Sequence, residues 1–308
     1  MSPFTFSVRA AREEDLPAIR ALLSELGSSY RNVDAERLQE TFRRAAGLSH
    51  LSKQVAVGPT GVVEGMLSLS HLPQPRLCGL KLSVDELAVS ESARGTGVGS
   101  ALLKSAIEEA RRLGAVRLEV LTDRRLESYR RGFYSRRGFV EGDSAVFRRS
   151  RFQFQAEWSA AAHLSIRLAT LEDAPALAGL LGELGYPFGE IALLKESLGA
   201  VLGHPQLQLW VAAGDGELLG MISLSRLPQL RLTGDKLSVD ELVVSERSRG
   251  QGVGQALMAT AIREAQLCAA VRLEVLTHRA RESYRRGFYA KNGLEEVPSA
   301  VLRYPLKG

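Results

Sequence analysis

Shifted by 155 residues, the chain matches itself. Leu82–Tyr134 and Leu237–Tyr289 are identical at 37 of 53 positions. The match extends back through Gly65-Met66 against Gly220-Met221 and forward to Ser144-Ala-Val against Ser299-Ala-Val. Near the start the offset becomes 158, with Val8–Gly27 facing Ile166–Gly185, so the second copy lacks three residues between its first helix and its middle strands. A period this long marks duplicated whole domains and not a solenoid of short units. The 308 residues suit two domains at roughly 100–200 residues each. The boundaries are read as 1–150 and 164–308, joined by a linker over 151–163. That segment is not glycine-rich and is expected to pack against a domain.

Each copy reads as β–α–(α)–β–β–β–α–β–α–β. In the second copy Thr170 and Asp173 resemble a capping box. The first copy has Ala11 and Arg12 there, which predicts a weaker or different cap. Leu16, Ile19, Leu22, Leu23 and Leu26 share one helical face. Gly214-Asp-Gly-Glu217 signals a hairpin. Beyond the glycine-rich turn, Leu102, Leu103, Ala106, Ile107, Ala110 and Leu113 form the apolar stripe of a further helix. Ala115–Thr122, repeated at 270–277, reads as a buried strand.

Between the third of the middle strands and that helix lies Arg94-Gly95-Thr96-Gly97-Val98-Gly99-Ser100, matched by Arg249-Gly250-Gln251-Gly252-Val253-Gly254-Gln255. Glycines permit positive φ and bring successive N–H groups to the positive end of a helix, which suits a pyrophosphate. An ordinary strand–helix connection uses similar glycines. The recurrence of arginine and three glycines in register, in the same context, favours the anion cradle. The turn comes too late in the repeat for a dinucleotide fingerprint, and no Gly-Lys-Ser/Thr follows.

Composition narrows the classes. Apolar residues make up 45% and charged residues 24%, an ordinary globular balance with ample core. No apolar run approaches the ~18–20 residues of a membrane span. The start of the chain lacks the pattern of a secretory signal. Cys78 and Cys268 stand at non-equivalent places outside any CxxC, and five histidines show no ligand spacing. The reading is a cytoplasmic protein with reduced thiols and no metal. The net charge of +5 fits an anionic ligand, a nucleic acid or nothing in particular.

Leu87–Leu103 resembles the coenzyme A-binding motif of the GNAT N-acetyltransferases, Arg/Gln-x-x-Gly-x-Gly/Ala, through Arg94-x-x-Gly97-x-Gly99 and again through Arg249-x-x-Gly252-x-Gly254. Arg130–Phe139 and Arg285–Leu294 are similar to the family's Phe-Tyr helix before Gly-Phe. Arg130 and Arg285 stand where alanine is frequent, and Leu294 replaces the final phenylalanine. The resemblance covers both copies nearly end to end. It implies an α+β architecture: two tandem GNAT folds, each a mostly antiparallel, splayed mixed sheet flanked by helices. It implies direct acetyl transfer from acetyl-CoA to an amine, without a covalent enzyme intermediate. Backbone N–H groups of 94–99 and 249–254 are expected to hold the pyrophosphate. The pantetheine arm is expected beside Leu87, Ala88 and Val89, and beside Leu242, Val243 and Val244, where an N–H polarises the thioester. Tyr134 and Tyr289 match the proton donor to the thiolate.

For the base, Asp85, Glu86, Asp240 and Glu241 sit on the strand before the turn, where alternation sends the members of each pair to opposite faces. A structural salt bridge and a water chain remain open alternatives. Arginines near 124–137 and 285–286 grip a 3′-phosphate or form a solvated face. Neither copy has lost its turn or its tyrosine, which suggests two coenzyme-competent domains packed as an intramolecular pseudo-dimer, in a monomer or a homodimer. The acceptor is read as a small-molecule amine. Protein lysine or N-terminal acetylation and a non-catalytic acyl-CoA-binding module are the alternatives, while a membrane partner is excluded and a nucleic acid is disfavoured.

Overall fold

The computed structural model describes residues 6–26, 33–150, 152, 164–186 and 190–306. The expected linker, apart from Phe152, lies outside the described residues, as do parts of the segments after the first helix of each copy. The first copy runs β1 (Ser7–Ala10), α1 (Leu16–Ser24), α2 (Ala35–Ala46), β2 (Leu51–Val57), β3 (Val63–Gln74), β4 (Gly79–Val89), α3 (Val98–Arg112), β5 (Arg117–Asp123), the short α4 (Glu127–Arg130), β6 (Val140–Gly142) and β7 (Ser144–Arg149). The second runs β8 (Ser165–Leu168), α5 (Ala174–Glu183), α6 (Ile191–Leu202), β9 (Leu207–Gly214), β10 (Glu217–Gln229), β11 (Gly234–Val244), α7 (Val253–Leu267), β12 (Arg272–His278), α8 (Glu282–Arg285), α9 (Phe288–Lys291), β13 (Glu295–Val297) and β14 (Ser299–Tyr304). Among the described residues no helix is long and apolar enough to cross a membrane.

The strands form two seven-stranded sheets, ordered β1-β2-β3-β4-β5-β14-β6 and β13-β7-β12-β11-β10-β9-β8. Each is antiparallel except for one parallel pair, β4 with β5 and β11 with β12. The sheets do not divide at the repeat boundary. β7, from the first copy, lies between β12 and β13 of the second, and β14, from the end of the chain, lies between β5 and β6 of the first. The cause is local. Asp143 alone separates β6 from β7, and Pro298 alone separates β13 from β14. Hairpins most often need two loop residues to reverse direction, so each final strand runs on into the opposite sheet. The crossing is anchored by Arg124 N–H donating to Pro298 O (2.8 Å) and Arg279 N–H donating to Asp143 O (3.1 Å).

Helices cover both faces. α3 buries Leu102, Leu103, Ala106 and Ala110 against Leu82, Val84, Leu118 and Leu302, following its sequence stripe. α7 does the same against Leu237, Val239, Leu273 and Phe147. On the other face α1 and α2 enclose Val55, Met66 and Ala88 together with Leu230 of the opposite half. The weaker cap expected in the first copy is replaced by an acid that works alone. Asp15 accepts from Arg12 N–H at 2.8 Å, as Asp173 accepts from Thr170 N–H at 2.8 Å. Arg9 and Arg167 grip the same carboxylates through paired contacts of 2.7 and 2.8 Å.

Candidate active site

β4 and β5 stay paired only from Lys81 to Val84, and β11 and β12 only from Lys236 to Val239. Beyond these points the strands diverge, and one edge of 85–89 and of 240–244 is left without a neighbouring strand. A β-bulge marks each divergence. Ser68 pairs with Glu86 and Leu69 with Val84, so Asp85 is the extra residue; Ser223 pairs with Glu241 and Leu224 with Val239, so Asp240 is. An extra residue reverses the alternation. Leu82 and Val84 face α3 before the bulge, and Leu87 and Val89 face it afterwards. Glu86 and Ala88 lie on the α1 side, Ala88 packing in that core. Leu242 and Val244 pack toward the α7 core and Val243 toward the α5 core. Alternation therefore predicts the face of Glu86 and fails across Asp85, because the bulge interrupts the pleat there.

The glycine turns have the backbone that the anion reading needs. Gly95, Gly97, Gly250 and Gly252 have φ of 86°, 107°, 81° and 83°. Gly97 and Gly252 are the residues that open α3 and α7. Cβ atoms on these four glycines would point into open space, which leaves room at the helix N-terminus for a phosphate-sized group. Gly99 and Gly254 instead fit beneath Phe133 and Phe288. In the second half a cleft of about 570 Å³ runs over Gly250, Gly252, Gly254 and Gln255, past Leu242, Val243 and Val244, to Phe288 and Tyr289. The glycine turn, the free strand edge and the tyrosine thus line one continuous groove, which fits an extended nucleotide thioester.

Other residues of the motif serve the scaffold. Val98 and Val253 are buried in their cores. Thr96 caps Ala93 O (2.7 Å), and Gln251 reaches Arg247 O (3.0 Å). Arg94 donates to Glu25 at 3.0 Å, and Arg249 pairs with Glu183 at 3.7 Å, so each motif arginine ties the turn to the end of the first helix of its half. Ser100 accepts from Arg137 Nε at 3.1 Å, and that guanidinium stacks 4.0 Å from the Phe133 ring centroid. Several expected surface arginines are matched to acids, among them Arg124 with Glu141, Arg125 with Asp123 and Arg131 with Glu127.

Tyr134 and Tyr289 are buried. Burial pushes the Tyr134 hydroxyl up to about 12, against a hydrogen bond with Thr122. It pushes Tyr289 up as well, against hydrogen bonds with Thr277 and Ser283. Both phenols therefore hold their protons at neutral pH. Tyr134 shares a chamber of about 100 Å³ with Asp85, Glu86 and Leu87. Tyr289 shares one of about 230 Å³ with Asp240, Glu241 and Leu242. Burial raises the carboxyls of Glu86 and Glu241, opposed by Arg231 and Arg76 respectively.

Those two arginines come from the opposite half and were missed in the sequence. Arg76 and Arg231 sit on the short turns Pro75–Leu77 and Leu230–Leu232 that follow β3 and β10. Arg231 N–H donates to Glu86 Oε1 at 2.6 Å, and Arg76 Nε donates to Glu241 Oε1 at 3.1 Å. Arg76 also donates to the Tyr186 hydroxyl at 3.2 Å. The repeated Leu-Pro-Gln-x-Arg-Leu at 72–77 and 227–232 was the available signal. Each chamber is closed in part by the other half, the first by Arg231 and the second by Arg76, and Arg148 and Ser299 of the exchanged strands also line the first.

Comparison with known proteins agrees with this geometry. The model of the acetyltransferase (GNAT) family matches residues 17–139 and 179–293. An aminoalkylphosphonate N-acetyltransferase of Salmonella typhimurium is 31% identical over 131 residues, spanning 42% of this chain and 84% of that protein. Among solved structures, a GCN5-related N-acetyltransferase from Sphaerobacter thermophilus covers 98% of this chain and 96% of its own, with a TM-score of 0.59 and 17% identity. A tandem GNAT protein from the clavulanic acid biosynthesis pathway covers 99% of both chains, with a TM-score of 0.59 and 17% identity. A glucosamine N-acetyltransferase region of a fungal multi-domain enzyme superposes with a TM-score of 0.60 at 16% identity, and the chain spans 38% of that protein. With one family model matched twice, two GNAT-type sheets and a curated N-acetyltransferase relative, the chain belongs to the GNAT family and is an N-acetyltransferase.

Proposed function

We propose that the chain transfers the acetyl group of acetyl-CoA to the primary amine of a small molecule, in two coenzyme-binding units built on 1–150 and 164–308 with their last strands exchanged. The observation that carries the reading is the groove of the second half, leading from the glycine turn, along a free strand edge, to a buried tyrosine and then into a chamber holding a carboxylate; the first half repeats the turn, the free edge and the tyrosine. Acetyl-CoA supplies an acetyl group activated as a thioester. The N–H groups of 94–99 and 249–254 bind its diphosphate, and the free edges at 87–89 and 242–244 orient its arm by strand-like pairing. A backbone N–H on that edge stabilises negative charge on the carbonyl oxygen. Tyr134 and Tyr289 each hold a proton for the departing sulfur, and a bulge carboxylate takes one from the amine.

The chambers, at about 100 and 230 Å³, have room for a small acceptor. The Salmonella relative acts, by its name, on an aminoalkylphosphonate. An amine carrying an anionic group would also suit chambers lined by Arg76, Arg148, Arg231 and Arg281. The test is thiol release from acetyl-CoA against aminoalkylphosphonates, amino acids, polyamines and a lysine peptide. A small amine should give the highest rate, and changing both tyrosines to Phe should lower it by roughly 100-fold or more. Coenzyme binding with no amine accepted would leave a binding module; preference for the peptide would overturn the choice of substrate class.

A further inference from the structure

The two bulges carry the same acids in unequal surroundings. In the second half both acids are engaged by side chains. Glu241 Oε1 accepts from Arg76 Nε at 3.1 Å, and Glu241 Oε2 accepts from the Ser223 hydroxyl. Asp240 Oδ1 accepts from Gln74 Nε2 at 3.2 Å and from Lys81 Nζ at 3.3 Å. Arg76, Gln74 and Lys81 all belong to the first half. Arg76 is held in turn by Tyr186 and by Gln74 Oε1, the latter at 3.2 Å. In the first half Glu86 Oε1 accepts one backbone N–H from Arg231, and Oε2 is buried with no partner among the described residues. Lys236, the counterpart of Lys81, donates to Glu274 of its own half at 3.2 Å and does not cross to Asp85.

We infer that the chain turns over in its first half, with Glu86 as the proton acceptor, while Gln74, Arg76 and Lys81 reach across to hold Asp240 and Glu241 out of proton transfer. This rests on the acetyltransferase reading. A general base needs a lone pair within reach of the amine. Removing Glu241 from Arg76 by protonation gives up a charge-assisted hydrogen bond in a buried site. Leaving a buried carboxylate oxygen unbonded is costly in a folded protein, and at Glu86 that oxygen belongs to a residue lining the same chamber as Tyr134. The charged groups facing Glu86 are Arg231 from the turn after β10, Lys53 from β2 and Asp85 on its own strand. Lys53 lies in register with Ser68 and Glu86 across β2, β3 and β4, and its Nζ is buried with no hydrogen-bond partner among the described residues. The same place in the second half is Leu209, opposite Ser223 and Glu241. The first half therefore holds an ionisable pair where the second holds an apolar residue and a clamped acid.

The experiment replaces Glu86→Gln in the full chain and measures thiol release with the best amine from the screen. Two equal halves would leave about half of the rate, whereas the inference expects a loss of roughly 100-fold with two acetyl-CoA still bound per chain. Tyr134→Phe, which keeps Tyr289, must show the same collapse and covers the case in which the first variant fails to fold. A remaining rate of about half, or an unchanged rate, in either correctly folded variant overturns the inference. Absence of thiol release from the unaltered protein with every amine would overturn the acetyltransferase reading itself, and that result is distinguishable from the first.

Discussion

Leu302 stands six residues from the end of the chain, yet its side chain is 3% exposed in the core of the first half, among Leu82, Leu102 and Leu118. Leu302→Ala removes three buried carbons from a strand that pairs with β5 across six register positions. A buried Leu→Ala change costs about 2–5 kcal/mol. At about 3 kcal/mol, amides that exchange through opening of this core should exchange roughly 150-fold faster. Hydrogen exchange read by mass spectrometry should place the acceleration in α3 and β5, about 180 to 200 residues away in sequence, and not in α7 and β12. Phe147→Ala should give the mirror result, since Phe147 packs with Leu273 and Tyr289 in the second core. If Leu302→Ala instead loosened mainly 253–278, strand exchange would be wrong and each half would close its own sheet.

Two further perturbations probe the contact between the halves. His50 meets His204 across it, with ring centroids 4.6 Å apart, and burial, then the charges of His204, His71 and Lys53, push His50 down to about 4. Its folded value lies below the ordinary 6.5, so its stabilisation is complete above about pH 6.5 and is lost as pH falls toward 4, by up to about 3 kcal/mol. Urea midpoints at pH 7 and pH 4.5 should show this, and His50→Gln should flatten it. Arg148→Met should cost about 3 kcal/mol by urea unfolding, because exchanged Arg148 donates to buried Glu274 at 2.6 Å and shares it with Lys236. An unchanged midpoint would show that Lys236 alone satisfies that carboxylate.

Much of this architecture could be read from residues whose effect is local. The glycine turns and the stripe of α3 follow from short-range pattern, the two tyrosines follow from the family resemblance, and each has its counterpart in the other copy. The bulge at Asp85 and Asp240 was not readable, because a bulge is a property of pairing with Ser68 and Ser223 and leaves no mark in strand composition. The exchange of β7 and β14 did leave one: a single residue, Asp143 or Pro298, between two strands that would otherwise need a turn. It carries meaning only once β6 and β13 are known to be strands, and at three residues each they are too short for period-two reasoning. Arg76 and Arg231 act on the half to which they do not belong, so no pattern within one repeat reveals their partners. The unequal treatment of Glu86 and Glu241 depends on those crossings and was invisible in two nearly identical strings.

Two cradles, one in each half, are proposed to hold the diphosphate of acetyl-CoA. Calorimetric titration of the full chain should give two acetyl-CoA per molecule. Gly97→Val, which places a β-branched residue at φ 107° in the first cradle, should leave one. A stoichiometry of one before any substitution, or none at millimolar concentration, would rule out paired cradles.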